Sequence, residues 1–216
     1  MIDSHPQQPA QQIAFWADKI RDMAALGLVF SDNFYERERC ERLQSLALEM
    51  MAYATDTPLP AMEPLRATVF ARPTPAAVVD TAVIDNNGRL LLIRRADNHK
   101  WAMPGGALEV GETPKEGGIR EVHEETGVRC EITNLIGVFD SRLCGSETAY
   151  HLYHMTFLAR PLNGDAPDPV SHALEIEATG WFSADELPEN IDSGHVGRIP
   201  LAFEMWRGEK RPYFDR

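Results

Sequence analysis

The run GALEVGETPKEGGIREVHEETGV, residues 106–128, contains a helix with its own start and stop signals. Thr113 followed by Pro114 and then Glu116 is an N-cap, a first-position proline and a capping-box partner. Gly127 supplies the stop. The spacing predicts a helix over residues 114–126, and at about 100° per residue Glu121, Glu124 and Glu125 fall within roughly one third of its circumference. Ile119 and Val122 share a different side, suited to burial against a sheet. Carboxylates three and four residues apart repel, and these sit mid-helix or later, where the helix dipole does not favour anions. Positive charge must compensate. Hard oxygen donors without a matching His or Cys set favour Mg²⁺ or Mn²⁺, ions that also bridge to phosphates and activate water. Arg120, one residue before the cluster, is placed to orient a carboxylate by paired hydrogen bonds.

Outward from this helix, the apolar, β-branched runs 78–84 and 89–94 flank Asn86-Asn87-Gly88, a turn signal for two antiparallel strands. Residues 131–139 and 150–159 are expected to be strands, and Trp181-Phe182 a short one. In residues 183–186 a second capping box, Ser183 with Glu186, is expected to open a helical turn ended by Pro188, and residues 199–206 form a last helix before Gly208. Toward the N-terminus, Ile13, Trp16, Ile20, Met23 and Ala24 recur at helical spacing over residues 11–26, with Gly27 as the expected stop. A second helix begins near Asn33, whose spacing to Glu36 fits a capping box, and shows an apolar face of Leu43, Leu46, Ala47 and Met50. Residues 55–75 carry Pro58, Pro60, Pro64, Pro73 and Pro75 and suit a stiff connector. The expected organisation is an N-terminal helical extension (1–60), a proline-rich connector (61–76) and a main domain (77–216). The fold class is α/β (α+β), a mixed β-sheet sandwiched between helices, with an N-terminal helical hairpin. Two isolated helices bury little area, so the hairpin is expected to dock on the main domain or on a second subunit, giving a homodimer.

With Gly106, Glu112, Arg120-Glu121, Val122, Glu124-Glu125, Gly127 and Val128 in place, the segment resembles the signature box of the Nudix hydrolases. The solvated face that most charge runs form is disfavoured, because Gly, Arg, apolar and Glu positions agree together. The resemblance covers roughly residues 76–190. It continues in Leu90-Leu91-Leu92-Ile93-Arg94-Arg95, in Trp101-Ala102-Met103-Pro104-Gly105-Gly106, and in Trp181-Phe182 with Glu186-Leu187-Pro188. It implies a Nudix-type fold and hydrolysis of a pyrophosphate, with Glu121, Glu124 and Glu125 as metal ligands and Glu112 at the margin of the metal site. One departure is Gly117-Gly118, where alanines are frequent and where each glycine should weaken an exposed helix by about 1 kcal/mol. Two readings stand: easier approach of metal or phosphate, or a tolerated imperfection. Residues 12–75, through residues 16–28 and Asn33-Phe34-Tyr35-Glu36-Arg37-Glu38-Arg39, resemble the N-terminal extension of Nudix enzymes that hydrolyse nucleoside diphosphates linked to another group, a CDP-choline pyrophosphatase among them.

The acidic balance, 33 acidic against 21 basic residues for a formal charge of -12, argues against polymeric nucleic acid as the main substrate. A small anionic nucleotide remains suitable where bound cations reverse the local sign. No apolar run approaches the roughly 20 residues of a membrane span, no secretory signal opens the chain, and the odd set Cys40, Cys130 and Cys144 points to a reducing cytoplasm. Arg95 and Arg142, with the backbone of Gly105 and Gly106, are the candidate substrate contacts; solvated arginines at strand ends are the plainer alternative for the two side chains. The loop 140–149 suits contacts to base or leaving group. The general base is a box glutamate or a loop acid, Glu175 or Glu177, which also fit as merely solvated acids. His151 and His154, three apart on a strand, point to opposite faces and do not form a metal pair. Trp101 and Trp181 are core residues. The function expected is Mg²⁺-dependent cleavage of a nucleoside diphosphate linked to a second moiety, of ADP-ribose, nucleotide-sugar or CDP-choline type, into two monophosphates. The alternatives are a sanitising hydrolase of damaged nucleoside triphosphates, a ligand sensor that keeps the fold, and an RNA-trimming enzyme.

Overall fold

A computed structural model describes residues 9–70, 76–146, 152–162, 175–209 and 211–214. The chain forms two compact units, one of residues 1–74 with 109–111, the other of residues 75–108 with 112–216.

In the first unit, α1 (Pro9–Phe30) and α2 (Phe34–Ala54) make the helical hairpin, followed by the short α3 (Leu59–Met62) and a π-helical turn, Arg66–Phe70. Gly27 is not the stop. The first helix runs three residues past it, and a side chain at Gly27 would overlap Cys40 Sγ, so the glycine serves the close approach of two helices. Asn33 does cap α2, accepting from the Tyr35 and Glu36 amides. The reciprocal half of that box is absent, since the Glu36 carboxylate accepts from Ser31 Oγ instead (2.7 Å). The connector expected over 55–75 contains helical turns. Leu59 from α3 and Leu65 pack with Met62 and Phe70 on Ala47, Leu48 and Ala52 of the hairpin. Pro73 and Pro75 lie outside the described residues.

The second unit is built on two sheets where a single one was expected. The mixed five-stranded sheet has the order β4-β1-β6-β5-β8, and the antiparallel three-stranded sheet the order β3-β2-β7. Here β1 is Ala76–Val83, β2 Leu90–Arg95, β3 Trp101–Ala102, β4 Gly105–Ala107, β5 Cys130–Asp140, β6 Leu152–Pro161, β7 Ile176–Phe182 and β8 Tyr213–Phe214; α4 is Pro114–Thr126, α5 Ser193–Val196 and α6 Arg198–Trp206. The antiparallel pair expected around Asn86-Asn87-Gly88 corrects itself to a divergence. Only Ile84 and Leu90 bridge, after which β1 and β2 enter different sheets. The turn is nevertheless tight: Asp85 Oδ1 accepts from the Asn87 and Arg89 amides, and Asp85 Oδ2 from Arg89 Nε. Residues 183–186 form the expected turn, the Glu186 amide donating to the Ser183 carbonyl and Ser183 Oγ to the Glu186 carboxylate.

Alternation along β1 places this sheet between two helices. Val83 joins Val122, Val128, Cys130, Leu91 and Ala159 on the α4 side, while Ala82 joins Ile136, Phe139, Ile199, Ala202 and Phe203 on the α6 side. Trp101 and Trp181 are partly buried against these clusters, Trp101 edge-on to Phe182 at 5.0 Å between centroids.

Candidate active site

Helix α4 starts where its sequence dictates. Thr113 Oγ1 accepts from the Glu116 amide, the Glu116 carboxylate accepts from the Thr113 amide (2.8 Å), and Gly127 ends the helix at φ 69. Fixed at both ends, α4 sets Glu121 and Glu125 against β4, with Glu124 bonded to Arg120 beside them. Arg120 lies among them. Its guanidinium takes Glu112 in a paired contact (2.7 and 3.0 Å), donates to Glu121 at 2.8 Å and to Glu124 at 3.1 Å, and reaches the Ala107 carbonyl. These bonds, the one to Glu112 foremost, hold its proton more firmly than usual.

Glu125 is turned away from Arg120. It is buried, and its Oε2 accepts from the Gly105 amide at 2.9 Å. Burial pushes its carboxyl up to about 8; the Gly105 bond and the charge of Arg95 oppose the shift, and Glu121 and Glu175 add to it. A side chain at Gly106 would meet the Glu121 carboxylate at 2.6–2.9 Å, and one at Gly105 would enter the Val79 carbonyl. Both glycines therefore let backbone and carboxylates close together. Gly117 and Gly118 have another explanation than either reading of the sequence. They are buried, Gly117 against Leu108 and Glu112, Gly118 against Thr81, Ile132 and Val79. They set the depth at which α4 seats on the sheet.

Arg95 is held by Asp97 (2.6 and 3.0 Å) at the end of β2, within electrostatic reach of Glu125. Arg142 pairs with Asp140 after β5, and no contact among the described residues joins it to the glutamates. Of the two acids expected in a loop, Glu177 lies in β7 and is engaged by Arg94 (3.2 Å) and His99 (2.6 Å), while the charge of the exposed Glu175, just ahead of β7, reaches Glu125. The loop 140–149 is described only to residue 146, and His151 lies outside the described residues.

Comparison with known proteins bears on the whole of this arrangement. Residues 74–201 match the model of the NUDIX domain, and residues 11–65 that of a UDP-X-like, N-terminal oligomerisation domain. The chain belongs to the Nudix hydrolase family. It is 33% identical over 201 residues to the "Putative ADP-ribose pyrophosphatase YjhB" of Bacillus subtilis (strain 168), covering 92% of this chain and 95% of that one. An ADP-ribose pyrophosphatase of Methanocaldococcus jannaschii is 34% identical over 118 residues, 53% of this chain and 66% of the relative. Among solved structures, that of a UDP-X diphosphatase superposes with a TM-score of 0.59 at 27% identity, covering 96% of this chain and all of that one.

A Nudix hydrolase implies a divalent metal, and the donors can be tested for it. Among the described residues no three His, Cys, Asp or Glu side chains are grouped around one point, because Arg120 stands between Glu112, Glu121 and Glu124. In chemistry the set fits. Three carboxylates share the Arg120 guanidinium, Glu125 stands beside them on the Gly105 amide, and all four are oxygen donors of the kind a hard divalent cation takes.

Asp80, His195 and Arg198 were not legible as site residues in the sequence, and His154 was weighed there only as half of a metal pair. Asp80, His154, His195 and Arg198 form a buried polar cluster on the opposite face of β1 from α4. Asp80 Oδ2 accepts from Arg198 Nη1 and lies 2.9 Å from His154 Nδ1, while Oδ1 lies 3.7 Å from His195 Nε2. Burial raises the Asp80 carboxyl, but Arg198 and the two histidines outweigh it and hold it well below the usual carboxylate range. A usable signal was Asp80 itself, a charge within an apolar strand run.

Proposed function

We propose that this Nudix hydrolase cleaves the pyrophosphate of a nucleoside diphosphate linked to a second group, of the ADP-ribose or UDP-X kind, into two monophosphates. The observation that carries the reading is the carboxylate face of α4 closed over by the Gly105-Gly106 backbone. Likeness to named ADP-ribose and UDP-X enzymes over nearly the whole chain, the N-terminal helices included, favours linked diphosphates over damaged triphosphates.

Glu121, Glu124 and Glu125, with Glu112 beside them, would hold Mg²⁺ or Mn²⁺. The metal, when bound, supplies charge neutralisation on phosphate oxygens and an acidified water. The chain's own groups do the rest. Arg120 orients Glu112, Glu121 and Glu124 as their internal counter-charge, and the Gly105 amide fixes which oxygen of Glu125 is turned inward. Arg95 offers a planar cation to a phosphate oxygen once it exchanges Asp97 for substrate. Glu175, which no ion pair among the described residues engages as Arg94 and His99 engage Glu177, is the acid we assign to accept a proton from the attacking water. The same reading includes a homo-oligomer formed through the N-terminal helices and a reducing cytoplasm, in keeping with three unpaired cysteines.

The test is a panel of ADP-sugars, UDP-sugars, CDP-alcohols, dinucleoside polyphosphates and damaged triphosphates, with Mg²⁺ or Mn²⁺, ranked by kcat/KM. Linked diphosphates are expected to lead, and a triphosphate at the head would overturn the assignment. Glu124→Gln and Glu125→Gln should each lower metal-dependent turnover on the order of a hundredfold or more while circular dichroism stays unchanged. Near-normal turnover in both would remove the metal assignment.

A further inference from the structure

We propose that His195 is a positioning residue for the hydrolysis: its imidazole holds the Met103 amide and thereby fixes the segment 103–106 that seats Gly105 on Glu125 and Gly106 against Glu121.

Residues 103–106 carry the chain from β3 in one sheet to β4 in the other. Two short strands cannot by themselves define such a crossing. It is pinned from three sides. Thr81 N–H donates to the Pro104 carbonyl at 2.9 Å, Gly105 N–H to Glu125 at 2.9 Å, and Met103 N–H to His195 Nδ1 at 3.3 Å. Met103 is buried, so its amide needs an acceptor. The third pin comes from α5, outside the glutamate helix and outside β1.

With Nδ1 accepting, the proton of a neutral imidazole sits on Nε2. Nε2 faces Asp80 Oδ1. Asp80 is held in turn by Arg198 and His154, and Arg198 by the Gly194 carbonyl (2.7 Å) and Thr156 Oγ1 (3.3 Å). The Asp80 charge favours that tautomer across 3.7 Å, and the Met103 contact orients the ring. The titratable and charged groups that act on the ring are Arg198, Asp80, Asp192 and His154. Burial and the Arg198 charge push the imidazole down to about 4, against the pull of Asp80, so Nδ1 stays an acceptor at neutral pH. A protonated ring would present a donor to the Met103 donor.

The test compares His195→Leu, which removes the acceptor and keeps an apolar volume, with His195→Asn, whose amide oxygen reaches the Nδ1 position. Amide exchange followed by NMR on the full chain should show Met103 and Gly105 exchanging about tenfold faster in His195→Leu and near wild type in His195→Asn, with Val122 unchanged in both. On the substrate that leads the panel, kcat should fall about tenfold in the Leu variant with KM within about twofold, and recover in the Asn variant. Unchanged Gly105 exchange in His195→Leu, or an Asn variant as impaired as the Leu variant, overturns the role. Should the Leu variant not fold, His195→Gln, whose amide reaches the Nε2 position instead, takes its place with the same expectations. The kinetic arm rests on the proposed hydrolysis; the exchange arm does not, so the failure of one is told apart from the failure of the other.

Discussion

At the scale of single residues, what distinguishes Glu121 and Glu125 from surface acids is that little of either side chain is exposed. Both are buried, and Arg120 is bonded to Glu121 while Glu125 accepts from the Gly105 amide. Gly106 is the neighbour whose added side chain would press directly on the Glu121 carboxylate. Gly106→Ala is expected to displace the Glu121 carboxylate and weaken Mn²⁺ binding about tenfold by calorimetry, with little loss of thermal stability. Affinity at wild-type level would show that the carboxylate moves freely. His195 gives a pH signature of its own. Its folded pKa, about 4, lies below the unfolded value of about 6.5, so the unfolded chain binds the extra proton between these values and stability falls as pH drops through that window. Relative to His195→Asn, the wild type should lose on the order of 3 kcal/mol between pH 7 and pH 4, measured by urea unfolding. The difference cancels contributions from other groups, among them Glu125, whose raised pKa acts in the opposite sense. A parallel pair of curves would contradict the buried neutral imidazole.

At the scale of elements, α4 was legible because its boundaries are local chemistry. Thr113, Pro114, Glu116 and Gly127 are each within a few bonds of what they cap. Thr113→Ala should cost about 1 kcal/mol. The two glycines inside the helix were not legible, because their reason lies across a contact in the sheet. At an exposed helical position Gly118→Ala would stabilise by about 1 kcal/mol. Here the added methyl meets Thr81 Oγ1 at 2.8 Å and Ile132 at 3.1 Å, so the change is expected to destabilise by roughly 1–3 kcal/mol in a chemical melt. A stabilised variant would reject the seating role. Gly27 teaches the same lesson: a stop signal on paper, in space the point where α1 meets Cys40 of α2.

At the scale of the whole molecule, the N-terminal unit has its own small core and leaves Trp16, Phe30, Phe34, Tyr35 and Tyr53 largely exposed. Together with the match to an oligomerisation domain, this makes it the expected source of subunit contacts. Removing residues 1–60 should convert the oligomer to monomer in sedimentation velocity, and an unchanged assembly would assign the contacts elsewhere. No helix among the described residues is long and apolar enough to cross a membrane. The sequence by itself determined the family, the helix that bears the glutamates and the mixed class of the fold, because caps, turns and the 3.6-residue period act over short separations. Only the tertiary structure decided that β1 and β2 part into separate sheets, since a turn fixes the direction of the next strand but not its pairing partner. It alone joined Asp80 to Arg198, 118 residues apart, and brought the Gly105 amide to Glu125. Those contacts depend on where sheets and helices come to rest, which burial of the whole core sets and no local run of residues encodes.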